Sequence, residues 1–308
     1  MSASDAGEPA TPGASEAPWT VGRLLTWTTG WLTSRGSESP RLDAEVLLAH
    51  VRACPRIALY TAFGETVPDG ERARFRDLVR RRGAGEPVAY LVGQREFFSL
   101  AFAVSPAVLV PRPETEGLVV RVIDLCREAA APRIVDVGTG SGAIAIAVAT
   151  HLPRAEVVAT DISAAALEVA RANAARLGLG ERIKFVESDL LAAPELGGPW
   201  DVIVSNPPYV REDEFAGLPR DVREHEPRAA LVAGPRGVEV IERLAAESVG
   251  RLRPGGWLVL EAGPAVAADV ERLLAGTSGL EPGPTLKDLA RLPRVFQARR
   301  AVGSPVIP

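Results

Sequence analysis

The chain has 308 residues, of which 46% are hydrophobic, and this is enough for two domains with buried cores. Its net charge of −4 argues against a dedicated nucleic-acid-binding protein, and nothing in it demands an oligomeric interface. The two cysteines and three histidines show no metal-ligand spacing, and no apolar run approaches the roughly 18–20 residues of a membrane span, so we expect a soluble, cytoplasmic, metal-free monomer.

The N-terminal part is predicted to be a tail followed by helices. Residues 1–18 are acidic and rich in Ala, Pro and Ser, and we expect a disordered tail there. Residues 19–85 carry apolar residues at helical spacing, such as Phe75, Leu78 and Val79, which predict a helical domain. Six arginines between positions 72 and 82 indicate either a docking face for an acidic or ribonucleoprotein partner or a solvated helix face.

Residues 86–112 switch to alternating and aromatic character, which predicts a β-hairpin linker from 97–98 to 102–104 and then a proline-rich loop. Residues 113–301 begin with a helix over about 115–130 and then alternate between strands and helices. The strands are predicted at 134–137, 157–161, 183–187, 202–205 and 257–261, and the helices at 141–150, 163–177 and 237–252. This pattern predicts an α/β domain with an open, largely parallel sheet covered by helices on both faces, closed by an antiparallel pair within 283–300.

A glycine-rich turn follows the first of these strands, and its residues are Gly138, Thr139, Gly140, Ser141 and Gly142. Glycines allow a ligand to approach the backbone at the carboxyl end of a strand. The GxGxG spacing differs from the GxGxxG of a dinucleotide site and favours a ligand without a pyrophosphate, such as S-adenosylmethionine. Asp161 ends the next strand, where an acid commonly binds ribose hydroxyls. Asp189 and Leu190 follow the third strand, either beside the adenine or as a simple strand-to-loop cap.

The tetrapeptide Asn206-Pro207-Pro208-Tyr209 follows the fourth strand. A planar NH2 group is a poor nucleophile and must be held with its lone pair facing a methyl donor. The Asn206 side-chain oxygen and the Pro207 backbone oxygen can accept its two N–H groups, and proline offers no competing donor. Tyr209 can lie flat against the planar group and exclude water. A tight turn after a strand is the alternative interpretation of the tetrapeptide.

Longer stretches of the chain resemble the HemK/PrmC protein-(glutamine-N5) methyltransferases from about Leu24 to Val295. The similar stretches are DVGTGSGAIAIAVA, ATDIS, SDLL, DVIVSNPPYV, LRPGGWLVLEAG, RLDAEVLLAHV, EPVAYLVGQREFFSLAFAVSPAVLVPRPETE and EPRAALVAGPRG. The combination of EFFSLAF with PRPETE is more specific than NPPY, which other amino-methyltransferases share.

The resemblance implies a small N-terminal helical, substrate-docking domain, a β-hairpin linker, and a class I, Rossmann-like methyltransferase domain with a seven-stranded sheet that uses S-adenosylmethionine. The implied substrate is the glutamine of the Gly-Gly-Gln loop of class 1 peptide chain release factors. By motif, residues 138–142 contact the methionine part of the cofactor, Asp161 the ribose, and Asp189 and Leu190 the adenine. Asn206 and Pro207 bind the glutamine amide, with Asn206 also bordering the cofactor.

The chain departs from the family pattern at His225-Glu226-Pro227, where an aromatic residue usually precedes the Glu-Pro pair. It also lacks a glycine after Asp288-Leu289-Ala290 and a glutamine within 265–270. These departures concern the docking of the protein partner. Three alternatives stay open: a ribosomal-protein glutamine methyltransferase, an N6-adenine nucleic-acid methyltransferase, and a cofactor-binding module without catalysis.

Overall fold

The structure is a computed structural model that describes residues 18–303. Nearly all of the predicted disordered tail, residues 1–17, lies outside the described residues. The chain divides into two compact units, Met1–Ala84 and Gly85–Pro308. Within residues 18–303, no helix has both the length and the apolar character needed to cross a bilayer.

The first unit is helical, as its apolar spacing predicts. Its helices are α1 (Val21–Thr33), α2 (Pro40–Val51), α3 (Arg56–Thr61) and α4 (Asp69–Gly83). The Thr20 side chain accepts a hydrogen bond from the Arg23 backbone N–H at 3.2 Å and so caps the start of α1. Buried leucines of α1 and α2 and Phe75 of α4 form the core. Arg82 of α4 forms a 2.7 Å ion pair with Asp43 of α2, so this arginine stabilises the unit itself.

Within the described residues, all β-strands belong to the second unit, and the first unit contains a single isolated β-bridge between Thr20 and Thr66. Its elements are α5 (Val88–Val92), β1 (Gln94–Phe97), β2 (Leu100–Ala103), α6 (Glu116–Cys126), β3 (Arg133–Val137), α7 (Ala143–His151), β4 (Glu156–Asp161), α8 (Ala164–Arg176), β5 (Ile183–Glu187), β6 (Trp200–Ser205), β7 (Val210–Arg211), α9 (Arg220–His225), β8 (Val232–Gly234), α10 (Glu239–Arg251), β9 (Leu252–Glu261), α11 (Ala267–Gly276), β10 (Leu280–Pro282), β11 (Leu286–Lys287) and β12 (Pro293–Arg300).

The hairpin lies earlier in the chain than the sequence predicts. Its strands β1 and β2 are joined at Phe98 and Ser99, which both have positive φ values, +51° and +59°. Two such residues form the tight turn that suits a two-residue hairpin, but this turn usually carries Asn or Gly, so composition does not reveal it. The short helix α5 within the predicted linker is also not anticipated; it ends at Gly93, whose φ is +73°.

The predicted parallel sheet is confirmed, with strand order β10-β12-β9-β6-β3-β4-β5. The five consecutive strands β9, β6, β3, β4 and β5 run parallel, and β12 pairs antiparallel with β9. Beyond these seven, the short strand β11 pairs with β12 as an eighth.

Alternate residues of the inner strands face opposite sides of the sheet, and each side is a separate core. Ile134, Val157 and Val202 pack with α6 and α7 on one side. Val135, Val158 and Ile203 lie in the core formed with α10 and α11 on the other. Because β3, β4, β5, β6 and β9 are parallel, their carboxyl ends meet along one edge of the sheet, where ligands bind in such folds.

Candidate functional site

The glycine-rich turn leaves β3 at this edge with left-handed backbone at Gly138, Gly140 and Gly142. A Cβ added at Gly138 or Gly140 would meet nothing within 4 Å, whereas one at Gly142 would lie 2.9 Å from Ile146 Cδ1. Gly142 is thus favoured by its φ of +82° and by its close packing on Ala170 of α8, whose Cβ would lie 3.2 Å from the added atom. Gly138 and Gly140 leave open space in which a ligand can contact the backbone.

The other two residues of the turn point inward. The Thr139 hydroxyl donates a 2.6 Å hydrogen bond to Asp136, and its backbone N–H donates to the Thr160 carbonyl at 2.8 Å. Ser141 is buried, and its backbone oxygen accepts a 2.9 Å hydrogen bond from Asn173. Thr139 and Ser141 can therefore contact a ligand mainly through their backbone.

Asp161, at the end of β4, ties the turn to the neighbouring strand. Its two carboxylate oxygens accept hydrogen bonds of 2.9 Å from the backbone N–H groups of Gly140 and Ser163. Each oxygen retains a second lone pair, so the carboxylate can still accept ligand hydroxyls. Ile162, the next residue, is 66% exposed at the same edge. Ile162 is not among the site residues predicted from the sequence, although an apolar residue directly after a strand-terminal acid is a usable signal for a surface that packs against a ligand ring.

Asp136, fully buried in β3, has no role in the sequence prediction. Its Oδ2 accepts hydrogen bonds from Thr139 and from the Ala145 backbone, while its Oδ1 has no partner among the described residues. Burial raises the pKa of Asp136 to about 7, and the nearby Asp161 charge adds to the shift. An unpartnered buried carboxyl oxygen beneath the open turn suits a ligand that is cationic or donates hydrogen bonds.

Replacement of Asp136 with asparagine should flatten the pH dependence of stability. Because burial raises the pKa of Asp136, the folded protein holds a proton that the unfolded chain has lost between about pH 4 and 7. Stability therefore falls as pH rises through this window, by up to ~1.4 kcal/mol per pH unit from this group. Urea unfolding of the ligand-free protein at pH 5 and pH 8 measures the difference. The Asp136→Asn variant should lose this part of the pH dependence of stability. An unchanged difference in unfolding free energy between pH 5 and pH 8 would refute the raised pKa of Asp136.

Asp189 and Leu190 lie after β5, apart from the glycine-rich turn. Asp189 is exposed and forms a 2.8 Å ion pair with Arg243 of α10. Leu190 has a φ of +51° and packs partly against the core between the sheet and α10. The Ser188 backbone N–H donates to the Asp161 carbonyl at 3.0 Å, which keeps this loop beside Asp161. The adenine contact of these two residues stays a prediction.

The tetrapeptide 206–209 leaves β6 beside the glycine-rich turn, because the Ser205 hydroxyl donates a 2.6 Å hydrogen bond to the Val137 carbonyl. The Asn206 side-chain N–H2 donates to Thr115 Oγ1 at 3.1 Å, which leaves the amide oxygen as an acceptor. Pro207 is buried, while Asn206 and Pro208 are half-buried. The structure thus brings Asn206 and the turn to neighbouring strand ends.

Tyr209 is held against the end of β9. A Cβ added at Gly263 would lie 3.1 Å from the Tyr209 ring, so the ring packs on bare backbone there. The Tyr209 hydroxyl lies 3.5 Å from Glu261 Oε1. Burial, followed by the Glu261 charge, raises the pKa of Tyr209 to about 12, so its hydroxyl stays protonated at neutral pH.

Arg112 and Glu226 connect two loops that lie 114 positions apart in the chain. Arg112 Nη2 and Glu226 Oε1 are 2.6 Å apart, and the Glu226 side chain is 2% exposed. Burial raises the pKa of Glu226, and the Arg112 charge opposes this shift. Glu226 belongs to the segment that departs from the family pattern, yet its carboxylate anchors the loop that carries Arg112 and Thr115.

In the part of the chain that the structure describes, no group of three or more His, Cys, Asp or Glu side chains could hold a metal ion.

Solved structures support the fold. A methyltransferase from Pyrococcus furiosus matches 74% of this chain and 98% of its own, with a TM-score of 0.50 and 18% identity. The hMettl16 catalytic domain matches 89% of this chain and 91% of its own, with a TM-score of 0.53 and 17% identity. At these identities the likeness establishes the fold alone. The class I methyltransferase fold is confirmed, and it implies a methyl donor of the S-adenosylmethionine type.

Family models and curated relatives are more specific. The PrmC N-terminal domain matches residues 23–93, and the methyltransferase small domain matches residues 118–218. The release factor glutamine methyltransferase of Rhodopirellula baltica is 48% identical over 94% of this chain and 99% of its own length. The protein of the same name from Deinococcus radiodurans is 42% identical over 91% of this chain and 98% of its own length. The predicted resemblance is therefore confirmed, and the chain belongs to the release factor glutamine methyltransferase family.

Proposed function

We propose that this protein transfers a methyl group from S-adenosylmethionine to the side-chain nitrogen of the glutamine in the Gly-Gly-Gln loop of class 1 peptide chain release factors. The observation that carries this proposal is the orientation of Asn206. Its N–H2 group is bound to Thr115 at 3.1 Å, so its oxygen is free to accept an N–H of a substrate amide. The names of the relatives supply the protein class of the substrate.

The residues at the sheet edge fit the cofactor. Gly138 and Gly140 leave space for it, and the unpartnered Asp136 oxygen suits its positive charge. We assign residues 138–142 to the methionine part, Asp161 to the ribose, and Asp189 with Leu190 to the adenine. When bound, S-adenosylmethionine supplies an electrophilic methyl group, whose bond to sulfur breaks as the bond to the amide nitrogen forms.

Asn206, Pro207 and Tyr209 would hold the substrate amide. The Asn206 side-chain oxygen and the Pro207 backbone oxygen accept its two N–H groups, and Tyr209 stacks on its plane while Pro208 stiffens the turn. Two carbonyl oxygens also stabilise the positive charge that develops on the nitrogen, by the same preorganisation that an oxyanion hole gives a negative charge. The methylated nitrogen then loses one proton. Positioning and exclusion of water account for the rate, and no covalent enzyme intermediate is required.

The domain roles follow from this activity. We assign residues 19–85 to a substrate-docking domain, 86–112 to a β-hairpin linker and 113–301 to the methyltransferase domain. The match of the PrmC N-terminal domain to residues 23–93 supports the first assignment. Because release factors act on ribosomes, we place the protein in the cytoplasm, working as a monomer without direct contact to nucleic acid.

The decisive assay uses radiolabelled S-adenosylmethionine and a release factor from the same cell. We expect label on the wild-type factor and none on a variant whose Gly-Gly-Gln loop is changed to Gly-Gly-Ala. Ribosomal proteins, duplex DNA and single-stranded DNA are parallel substrates that test the two alternative methyltransferases. Label on any of these, or on the Gly-Gly-Ala variant, would overturn the proposed substrate. No label on any substrate would overturn the proposed activity.

A further inference from the structure

The Tyr209 ring packs on a glycine that the local backbone conformation does not require. Gly263 lies two residues after the end of β9 and has φ −75° and ψ 155°, which is extended backbone that other residues adopt as well. The next residue is Pro264, and the position before a proline favours this conformation in any residue. The reason for a glycine at position 263 must therefore be the space around it and not its main chain.

The Tyr209 ring occupies that space. A Cβ added at Gly263 would lie 3.1 Å from Tyr209 Cε2 and 3.3 Å from Tyr209 Cδ2, two bonded atoms on one side of the ring. Carbon atoms in ordinary contact lie about 3.5–4.0 Å apart. Alanine at position 263 would therefore require the ring or the backbone to move by a few tenths of an ångström.

The main chain on both sides of this contact is held in place. The Ala262 N–H donates a 3.1 Å hydrogen bond to the Arg294 carbonyl of β12, and Ala262 is fully buried. A Cβ added at Gly237 would lie 2.8 Å from the Tyr209 carbonyl oxygen, so the backbone of residue 209 is closely packed as well. The Tyr209 side chain is then the part that can move. Because Tyr209 is half-buried, its ring would move toward its open side.

We propose that Gly263 is a positioning residue that sets the depth at which the Tyr209 ring lies, and with it the plane on which the substrate amide stacks. This inference rests on the proposed function for the stacking role of Tyr209, but the contact between Gly263 and the ring is a property of the free protein. A ring displaced toward the substrate would move the amide nitrogen out of line with the methyl group that it attacks. Gly263 needs no contact with the substrate or the cofactor.

Steady-state kinetics of Gly263→Ala provide the first test. We expect kcat to fall on the order of 3- to 10-fold, because a misplacement of about 1 Å can cost about 100-fold and the ring moves by less. KM for S-adenosylmethionine should not change, since residues 138–142 and Asp161 carry most of its proposed contacts. Gly283→Ala is the matched control and should keep the wild-type kcat. A Cβ at Gly283 would lie 3.0 Å from the Trp257 ring, but Gly283 follows the edge strand β10, away from the proposed site.

A double variant shows whether the added methyl group acts through the ring. Tyr209→Ala removes the ring, so Gly263→Ala should lower kcat no further in that background. If Gly263→Ala alone does not fold, its combination with Tyr209→Ala should fold and should unfold at a temperature close to that of Tyr209→Ala. The positioning role is refuted if a folded Gly263→Ala enzyme retains more than half of the wild-type kcat or loses kcat equally in both backgrounds. Where the single variant does not fold, it is refuted if the double variant does not fold either.

Fluorine NMR tests the contact without any substrate. The chain contains three tyrosines, Tyr60, Tyr90 and Tyr209, so incorporation of 3-fluorotyrosine labels three rings. Tyr209→Phe identifies the Tyr209 signal by its loss. Tyr60 lies in α3 of the first unit, and the Tyr90 hydroxyl donates to the Val108 carbonyl at 2.6 Å, so both serve as internal references. We expect Gly263→Ala to shift the Tyr209 signal and to leave the other two unchanged. An unshifted Tyr209 signal would refute the proposed contact.

The two experiments separate the two proposals. If the wild-type protein methylates no release factor but Gly263→Ala shifts the Tyr209 signal, the proposed function fails and the control of the ring by Gly263 stands. If the wild type is active and Gly263→Ala changes neither the Tyr209 signal nor kcat, the positioning role fails and the proposed function stands.

Discussion

Asn206→Ala should lower kcat for glutamine methylation by about 10²–10³, the scale for losing one preorganised polar group in an active site. The reason is geometric: alanine removes the oxygen that accepts a substrate N–H while the Asn206 nitrogen is held by Thr115 at 3.1 Å. KM for S-adenosylmethionine should change little, because residues 138–142 and Asp161 carry most of its proposed contacts. Single-turnover transfer of radiolabel to the release factor measures the effect on the chemical step.

Asn173→Ala is the control that shows the effect of losing an asparagine with a purely structural role. Asn173 is fully buried and bonds to Ala103 and Ser141, so its loss should lower the unfolding temperature. Asn206 is half-buried, and Asn206→Ala should unfold within a few degrees of the wild type. An Asn206→Ala enzyme with more than half of the wild-type turnover would contradict the role assigned to the side chain.

Arg112→Ala should destabilise the protein by about 2–4 kcal/mol at pH 8. Removal of one partner leaves the Glu226 carboxylate buried without a countercharge, and broken buried pairs cost on this scale. The wild-type pair is 2.6 Å long, with Glu226 2% and Arg112 32% exposed. The partial exposure of Arg112 admits some water and places the loss at the lower part of the range. Urea unfolding at pH 8 measures it.

The pH dependence and a double variant identify the cause. Burial already raises the pKa of Glu226 in the folded protein, and loss of the Arg112 charge raises it further. The penalty of Arg112→Ala is therefore largest above that raised pKa and shrinks as acid protonates Glu226. Arg112→Met combined with Glu226→Leu removes both charges and should recover most of the stability. An equal loss at pH 8 and pH 5, or no recovery in the double variant, would contradict this account.

The regular elements of the second unit follow from local sequence. Apolar runs bounded by glycine and aspartate predict β3 and β4, and the structure places both within two residues of the predicted bounds. Gly138 and Gly140 adopt the left-handed backbone that their residue type favours. The tetrapeptide 206–209 follows its strand as the pattern indicates. These strands and turns follow from the conformational preferences of residues that are adjacent in the chain, so the sequence is enough to predict them.

Local sequence was insufficient where the backbone departs from its usual preferences. The hairpin turns at Phe98 and Ser99, neither of which favours positive φ. The amide oxygen of Asn173 accepts from the Ala103 backbone at 2.7 Å, and this contact joins the hairpin to a residue 70 positions later in the chain. A tertiary contact of this kind can hold a hairpin in a conformation that its own residues disfavour.

The sequence by itself thus determined the α/β architecture, the glycine-rich turn and the residues proposed to bind the substrate amide. The tertiary structure decided which side chains support them. Thr115 reaches Asn206 across 91 positions of the chain, and Arg112 reaches Glu226 across 114. The physical reason is the strand order: β6 lies between β3 and β9, so residues distant in sequence emerge together at one edge of the sheet, where burial and hydrogen bonding fix their orientation.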